Sequence, residues 1–118
     1  MEGIAASVAL LAGSVAADLG AGLSALRVDG GLTRSRTLLQ AQADLLQLPV
    51  EVCETPHATA LGVAALARLG TGIRDDLGAA LGPAGTGTVV EPGIGADESA
   101  GRLAGFRAAL DLIVAAAT

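Results

Sequence analysis

Ile4, Val8, Leu11, Val15 and Leu19 recur at spacings of four, three, four and four. That is the apolar stripe of a helix seated on a sheet or on another helix, and it predicts a first helix over residues 2–19, stopped by Gly20 to Gly22. Leu23 to Val28 is short and apolar and runs into Asp29-Gly30-Gly31, which reads as a strand over residues 23–28 ending in a glycine turn. Leu38, Leu39, Leu45 and Leu46 then predict a helix over 35–47, and Val50 and Val52 alternating with Glu51 predict a second strand over 49–53. A third helix covers 58–68, with Thr55 or Thr59 able to cap it, and Ala58, Gly62 and Ala65 give it a small-residue side for close packing.

From Gly70 to Gly95 the pattern loosens into a loop region. A short helix near Ile73 to Leu81, a mobile loop at Gly82 to Gly87 and a brief extended piece at Val89-Val90 are expected within it. A long last helix over 97–116 places Leu103, Phe106, Leu110, Ile113 and Val114 on one face, with Asp97 or Ser99 near its start. Two strands joined by a crossover helix imply a parallel pair. Two strands are too few for an ordinary doubly wound sheet, so a free strand edge is expected, open to dimerisation or swapping.

Composition narrows the function. In 118 residues, 52% are hydrophobic but only Phe106 is aromatic, so one core built from Leu, Val, Ile and Ala is expected. A net charge of -5, with no basic run and no aromatic platforms, argues against nucleic acid as a partner. All basic residues are arginine, which removes the lysine of a Walker-type phosphate loop and any lysine nucleophile. A single cysteine, Cys53, in a strand that reads as buried fits a reduced, cytoplasmic setting. The uncharged run Gly3 to Ala17 is shorter than the roughly 20 residues of a membrane span and has no basic flank before it, so a mostly buried helix is expected, not a membrane segment or signal peptide.

Among candidate sites, Asp29-Gly30-Gly31 stands out, because a strand that hands over to a helix through paired glycines exposes bare N–H groups near a helix start. Two readings stand there: a phosphate or nucleotide cradle, or a tight turn that uses glycine for positive φ. Ser35 is an N-cap or a ligand contact. Gly70-Thr71-Gly72 and Gly85-Thr86-Gly87 lack the rest of a phosphate-loop motif and read as plain loops. His57 is the only histidine, so no metal cluster is expected. Cys53 and His57 have no third group to orient them for catalysis, and a buried cysteine with a surface histidine is the expectation. Asp75-Asp76 reads as solvated charge, and Asp97-Glu98 as acidic residues favouring a helix start.

Leu-Arg-Val-Asp-Gly-Gly (Leu26 to Gly31), Leu-Leu-Gln-Ala-Gln-Ala-Asp-Leu-Leu (Leu38 to Leu46), Pro-Val-Glu-Val (Pro49 to Val52) and Thr-Ala-Leu-Gly-Val-Ala-Ala-Leu-Ala (Thr59 to Ala67) occur in that order. Together they resemble the C-terminal ATP-binding domain of the FGGY carbohydrate kinases, the glycerol kinases above all. Weaker similarity runs through Glu2-Gly3-Ile4-Ala5 and Glu91-Pro92-Gly93. The resemblance implies an α/β fold, a partial ribonuclease H-like (actin-like ATPase) domain whose opening β-meander is absent here. It implies ATP or ADP with Mg²⁺ as ligand, Gly30 and Gly31 against the phosphates, and Ser35 where the family often has an asparagine near the adenine. It also implies that the catalytic base and sugar pocket belong to an N-terminal half not contained in this sequence. The expected role is therefore the nucleotide-binding portion of a sugar or polyol kinase, inactive alone, partnered by the missing N-terminal half. The alternative is a non-catalytic module that forms a homodimer through its strand edge.

Overall fold

The computed structural model of the chain describes all residues except 56, 82–84, 86 and 118. Helix α1 spans Glu2–Leu19 and ends where Gly20 turns left-handed (φ 63°) and returns its N–H to the carbonyls of Ala16 and Ala17. Strand β1 (Leu26–Val28) is followed by one 3-10 turn (Gly31–Arg34), helix α2 (Arg36–Leu46) and strand β2 (Val50–Val52). Helices α3 (Ala58–Gly70) and α4 (Leu77–Leu81), strand β3 (Val89–Val90) and helix α5 (Ala96–Ala117) complete the order.

The sheet has the order β1-β2-β3, so the brief extended piece is a true third strand. β1 and β2 run parallel with Arg27 opposite Glu51, and their side chains meet at 2.8 Å across the ladder. β3 is antiparallel to β2. A Cβ added at Gly87 would collide with the Val52 carbonyl oxygen, so glycine there is what lets the chain come alongside β2.

Helix α2 is the centre of the molecule because both of its faces are used. Leu38 and Leu45 pack with Ala5, Ala6 and Ala9 of α1, with Leu103 and Phe106 of α5 alongside. Leu39 and Ala43 face the sheet over Val50, with Leu26, Val28, Val52 and Val90 around them. A polar seam ties the last third of the chain to the same helix. The Asp44 carboxylate accepts from the Gly93 N–H (2.6 Å) and from Gln40 Nε2 (2.8 Å). Gln40 also donates to the Glu91 carbonyl (3.0 Å), Gln47 donates to the Ile94 carbonyl (3.1 Å), and buried Ser99 donates to the Leu45 carbonyl (3.2 Å).

Several expectations need correction. The first helix is not mostly buried: only Ala5, Ala6 and Ala9 are, while Ile4 (48%), Leu11 (66%), Val15 (40%) and Leu19 (67%) of the predicted stripe are exposed. The reason is that alanine, not the large residues, makes the contact with α2, and small side chains allow that close approach. By length and composition, Glu2–Leu19 is also a helix able to cross a membrane. On α5 only Leu103 and Phe106 of the predicted face pack; Leu110, Ile113 and Val114 are exposed. Neither Thr55 nor Thr59 caps α3, because His57 holds the N-cap position in a left-handed conformation with no side-chain cap bond. Asp76 is more than solvated charge, since its Oδ1 accepts from the Ala79 N–H (2.8 Å) at the start of α4. Ser99 does lie near the start of α5, as expected, and is also a buried tie to α2. Of the predicted mobile loop, Gly82 to Gly87, most lies outside the described residues.

Candidate functional site

Strand β1 ends at Val28, whose carbonyl accepts from the Cys53 N–H (2.9 Å), so the parallel ladder fixes where the following turn begins. Asp29 and Gly30 then lead out to the surface. Gly30 has φ 96° and ψ −177°, a region open essentially to glycine alone. Its carbonyl is held by two donors from one residue, the Thr33 N–H (3.2 Å) and the Thr33 hydroxyl (2.7 Å). With that carbonyl pinned, the first internal donor of the 3-10 turn is Thr33, and the N–H groups of Gly31 and Leu32 precede it, as orphan donors do at any helix start.

Gly30 and Gly31 are both exposed, and a Cβ on either would meet nothing within 4 Å. The two glycines differ in kind. Gly30 is demanded by its φ, whereas Gly31 is not at positive φ and has open space around it. Nothing within the fold requires Gly31 to lack a side chain; close approach of an external group to the backbone is a reason that remains.

The helix expected over 35–47 is α2, and the residues between it and the glycines, for which no element was expected, form a turn of their own. A 3-10 turn intervenes, and α2 starts only at Arg36, because Ser35 leaves helical geometry (φ −85°, ψ 96°) to serve as its N-cap. Ser35 Oγ accepts from the Leu38 N–H at 3.3 Å, so its hydroxyl is engaged locally as a cap. Arg34 and Arg36, on either side of it, are exposed and make no ion pair among the described residues. Sequence reasoning passed over this pair, although a positive charge on both sides of Ser35 was visible. The Asp29 carboxylate is exposed at the mouth of the turn.

Other candidates do not assemble into a site. Cys53 lies just past the end of β2 and is therefore half-buried, not buried as expected, while His57 is exposed. Gly70-Thr71-Gly72 closes α3, with the Thr71 N–H on the Ala67 carbonyl (3.0 Å) and Gly72 at φ 73°. No group of three or more His, Cys, Asp or Glu among the described residues is arranged to hold a metal. An open groove of about 540 Å³ lies between α1, α2 and α5, lined by Met1, Glu2, Arg36, Thr37, Gln40, Ala41, Asp44 and Arg102. Arg102 is committed within it to Glu98 (2.7 Å) and Glu2 (3.4 Å), and the Glu98 hydrogen bond and charge raise its pKa above the ordinary value. Gly30 and Gly31 are not part of this groove.

Known proteins resemble the chain along nearly its whole length. Residues 1–70 match the model of the C-terminal domain of the FGGY family of carbohydrate kinases. Glycerol kinase of Bordetella parapertussis is 42% identical over 115 residues, which is 95% of this chain and 22% of that protein. A crystal structure of Plasmodium falciparum glycerol kinase with ADP superposes with a TM-score of 0.73 at 27% identity, covering 93% of this chain and 22% of that one. Xylulose kinase from Rhodospirillum rubrum superposes with a TM-score of 0.72 at 28% identity, covering 95% and 23%. The chain thus spans about a fifth of the length of these relatives, and its small, partly parallel sheet with covering helices is part of their actin-like ATPase fold. With the matched segment carrying the Asp-Gly-Gly turn, α2 and β2, the chain belongs to the FGGY family of carbohydrate kinases, within the C-terminal domain.

Proposed function

We propose that this chain is the nucleotide-binding portion of an ATP-dependent sugar or polyol kinase, with Gly30 and Gly31 against the phosphates and Ser35 beside the adenine. The observation that carries the reading is Gly31, an exposed glycine in an open turn that neither its φ nor its packing requires. A phosphate that approaches the backbone there meets the N–H groups of Gly31 and Leu32 with no side chain in the way. The Plasmodium falciparum glycerol kinase that superposes on this chain was crystallised with ADP, which agrees with a nucleotide as ligand.

ATP with Mg²⁺ supplies the transferable phosphoryl group and neutralises its charge when bound. The residues present fit that group in part: the backbone N–H groups of Gly31 and Leu32, with exposed Arg34 beside them, would hold the phosphates, and the exposed Asp29 carboxylate would hold a hydrated Mg²⁺. They offer no base placed beside a substrate hydroxyl. Phosphoryl transfer rests on positioning by several loops and a base near the attacking oxygen. The chain therefore binds nucleotide weakly and transfers nothing by itself, and a cytoplasmic setting supplies its ATP.

Calorimetry with Mg·ADP and transfer of γ-labelled phosphate from ATP to glycerol test this together. Millimolar binding without transfer is expected. Transfer by the purified chain, or no heat of binding at millimolar ADP, overturns the reading. A second reading, a non-catalytic module that self-associates, is favoured by β1, which pairs with β2 on one side only among the described residues. A concentration-dependent dimer that shows no ADP binding would support it.

A further inference from the structure

The peptide unit that joins Gly30 to Gly31 carries both the Gly30 carbonyl and the Gly31 N–H. Across a trans peptide the two point in opposite directions, and no peptide bond among the described residues is cis. Whatever holds the carbonyl therefore aims the N–H. The carbonyl is drawn toward Thr33, by its N–H at 3.2 Å and its hydroxyl at 2.7 Å. The Gly31 N–H is thereby turned away from Thr33, on an exposed residue.

Nothing steric keeps this peptide in place. Turning it over changes ψ of Gly30, now −177°, together with φ of Gly31, and a glycine on either side accepts the values that result. Turned over, it would present the carbonyl oxygen where the N–H now stands, and a phosphate would meet an acceptor instead of a donor. Hydrogen bonds must decide the orientation. The 3-10 turn is one short turn of four residues, so each bond in it weighs heavily. Ser7 and Ser14 also return their hydroxyls to carbonyls of the preceding turn, but there they add to the long ladder of α1. At Gly30 the hydroxyl supplies the shorter of the two bonds on the carbonyl.

We infer that Thr33 is a positioning residue of the phosphate site: its hydroxyl locks the Gly30–Gly31 peptide with the N–H presented to a nucleotide phosphate. Its hydroxyl proton is already given to the Gly30 carbonyl, so Thr33 acts through the peptide and not on the phosphate. The methyl group has no part in this. The inference rests on the nucleotide reading of the turn.

The test compares the unaltered chain with Thr33→Val, Thr33→Ser and Thr33→Ala. Valine keeps the shape and the main-chain bond but lacks the hydroxyl; serine keeps the hydroxyl and lacks the methyl; alanine lacks both. Calorimetric Mg·ADP affinity should fall about fivefold in Thr33→Val and equally in Thr33→Ala, the worth of one ordinary hydrogen bond, and Thr33→Ser should stay within about twofold of the unaltered chain. Helix content should be the same in all. Without nucleotide, relaxation dispersion of the amide nitrogens should show exchange at Gly31 in Thr33→Val and Thr33→Ala, and none where the hydroxyl is present. A loss of affinity in Thr33→Ser equal to that in Thr33→Val overturns the inference, because it assigns the effect to the methyl and its packing. So does a loss in Thr33→Val with Gly31 free of exchange. An unaltered chain that binds no Mg·ADP removes the nucleotide reading and this inference with it, whereas binding that Thr33→Val leaves intact rejects the role of Thr33 alone.

Discussion

Replacing each of the two adjacent glycines by alanine should have opposite consequences. At Gly30 the backbone sits at φ 96°, where a Cβ is strained whatever space surrounds it. Conformations of this kind cost about 1–3 kcal/mol for a non-glycine residue. At roughly 4 °C per kcal/mol for a domain of this size, Gly30→Ala should lower the melting temperature by about 4–12 °C. Gly31 is in the 3-10 turn, not at positive φ, with nothing within 4 Å of a built Cβ. Gly31→Ala should hold or raise stability, by up to about 1 kcal/mol, because it narrows the unfolded ensemble. A phosphate lying against that backbone would then be pushed off its donors. Loss of one hydrogen bond to a charged group is worth about 1.5–3 kcal/mol, a fall in Mg·ADP affinity of about tenfold or more. Thermal unfolding and calorimetric titration of both variants provide the check. If Gly31→Ala keeps full ADP affinity, the cradle is refuted; if it destabilises as Gly30→Ala does, the turn is conformational only.

Further outcomes follow from the same geometry. Asp44→Ala removes the acceptor that holds Gly93 and Gln40, and should cost about 2–3 kcal/mol in urea unfolding, with faster amide exchange at Gly93. Gly87→Ala drives a Cβ into the Val52 carbonyl, so β3 should detach, read as lost protection of the Val52 amide, which donates to the Thr88 carbonyl (2.8 Å). Ser35→Ala should cost about 1 kcal/mol through the lost α2 cap. It should also weaken ADP but not pyrophosphate, since the proposed adenine contact is absent from the latter.

The segment from β1 to α3 was the most legible, for physical reasons. Gly30-Gly31, Pro49 and the leucine pairs of α2 punctuate it at short range, and local signals set its elements to within a few residues. The outward face of α1 was not legible, because its buried arc is alanine: the larger residues dominate the periodicity while the smaller ones make the contact. The clamp of Gln40, Asp44 and Gln47 on residues 91–94 joins positions about fifty apart in sequence, and no local pattern announces it. At the site, the glycines stood out from spacing alone, but the 3-10 turn behind them did not, since Ser35 as cap of α2 only fixes where the next helix begins. Resemblance to the kinases is what suggests a phosphate at the turn; the structure supplied the distinction between a glycine held by φ and one left open.

Nucleotide binding at the glycine turn is read most directly from a two-dimensional amide NMR spectrum of the whole chain titrated with Mg·ADP. Saturable shifts confined to Gly30, Gly31, Leu32 and the residues around Ser35 are expected, with α3 and the second half of α5 unmoved. An unchanged spectrum at millimolar nucleotide, or shifts centred on the groove lined by Met1, Thr37 and Arg102, would contradict it.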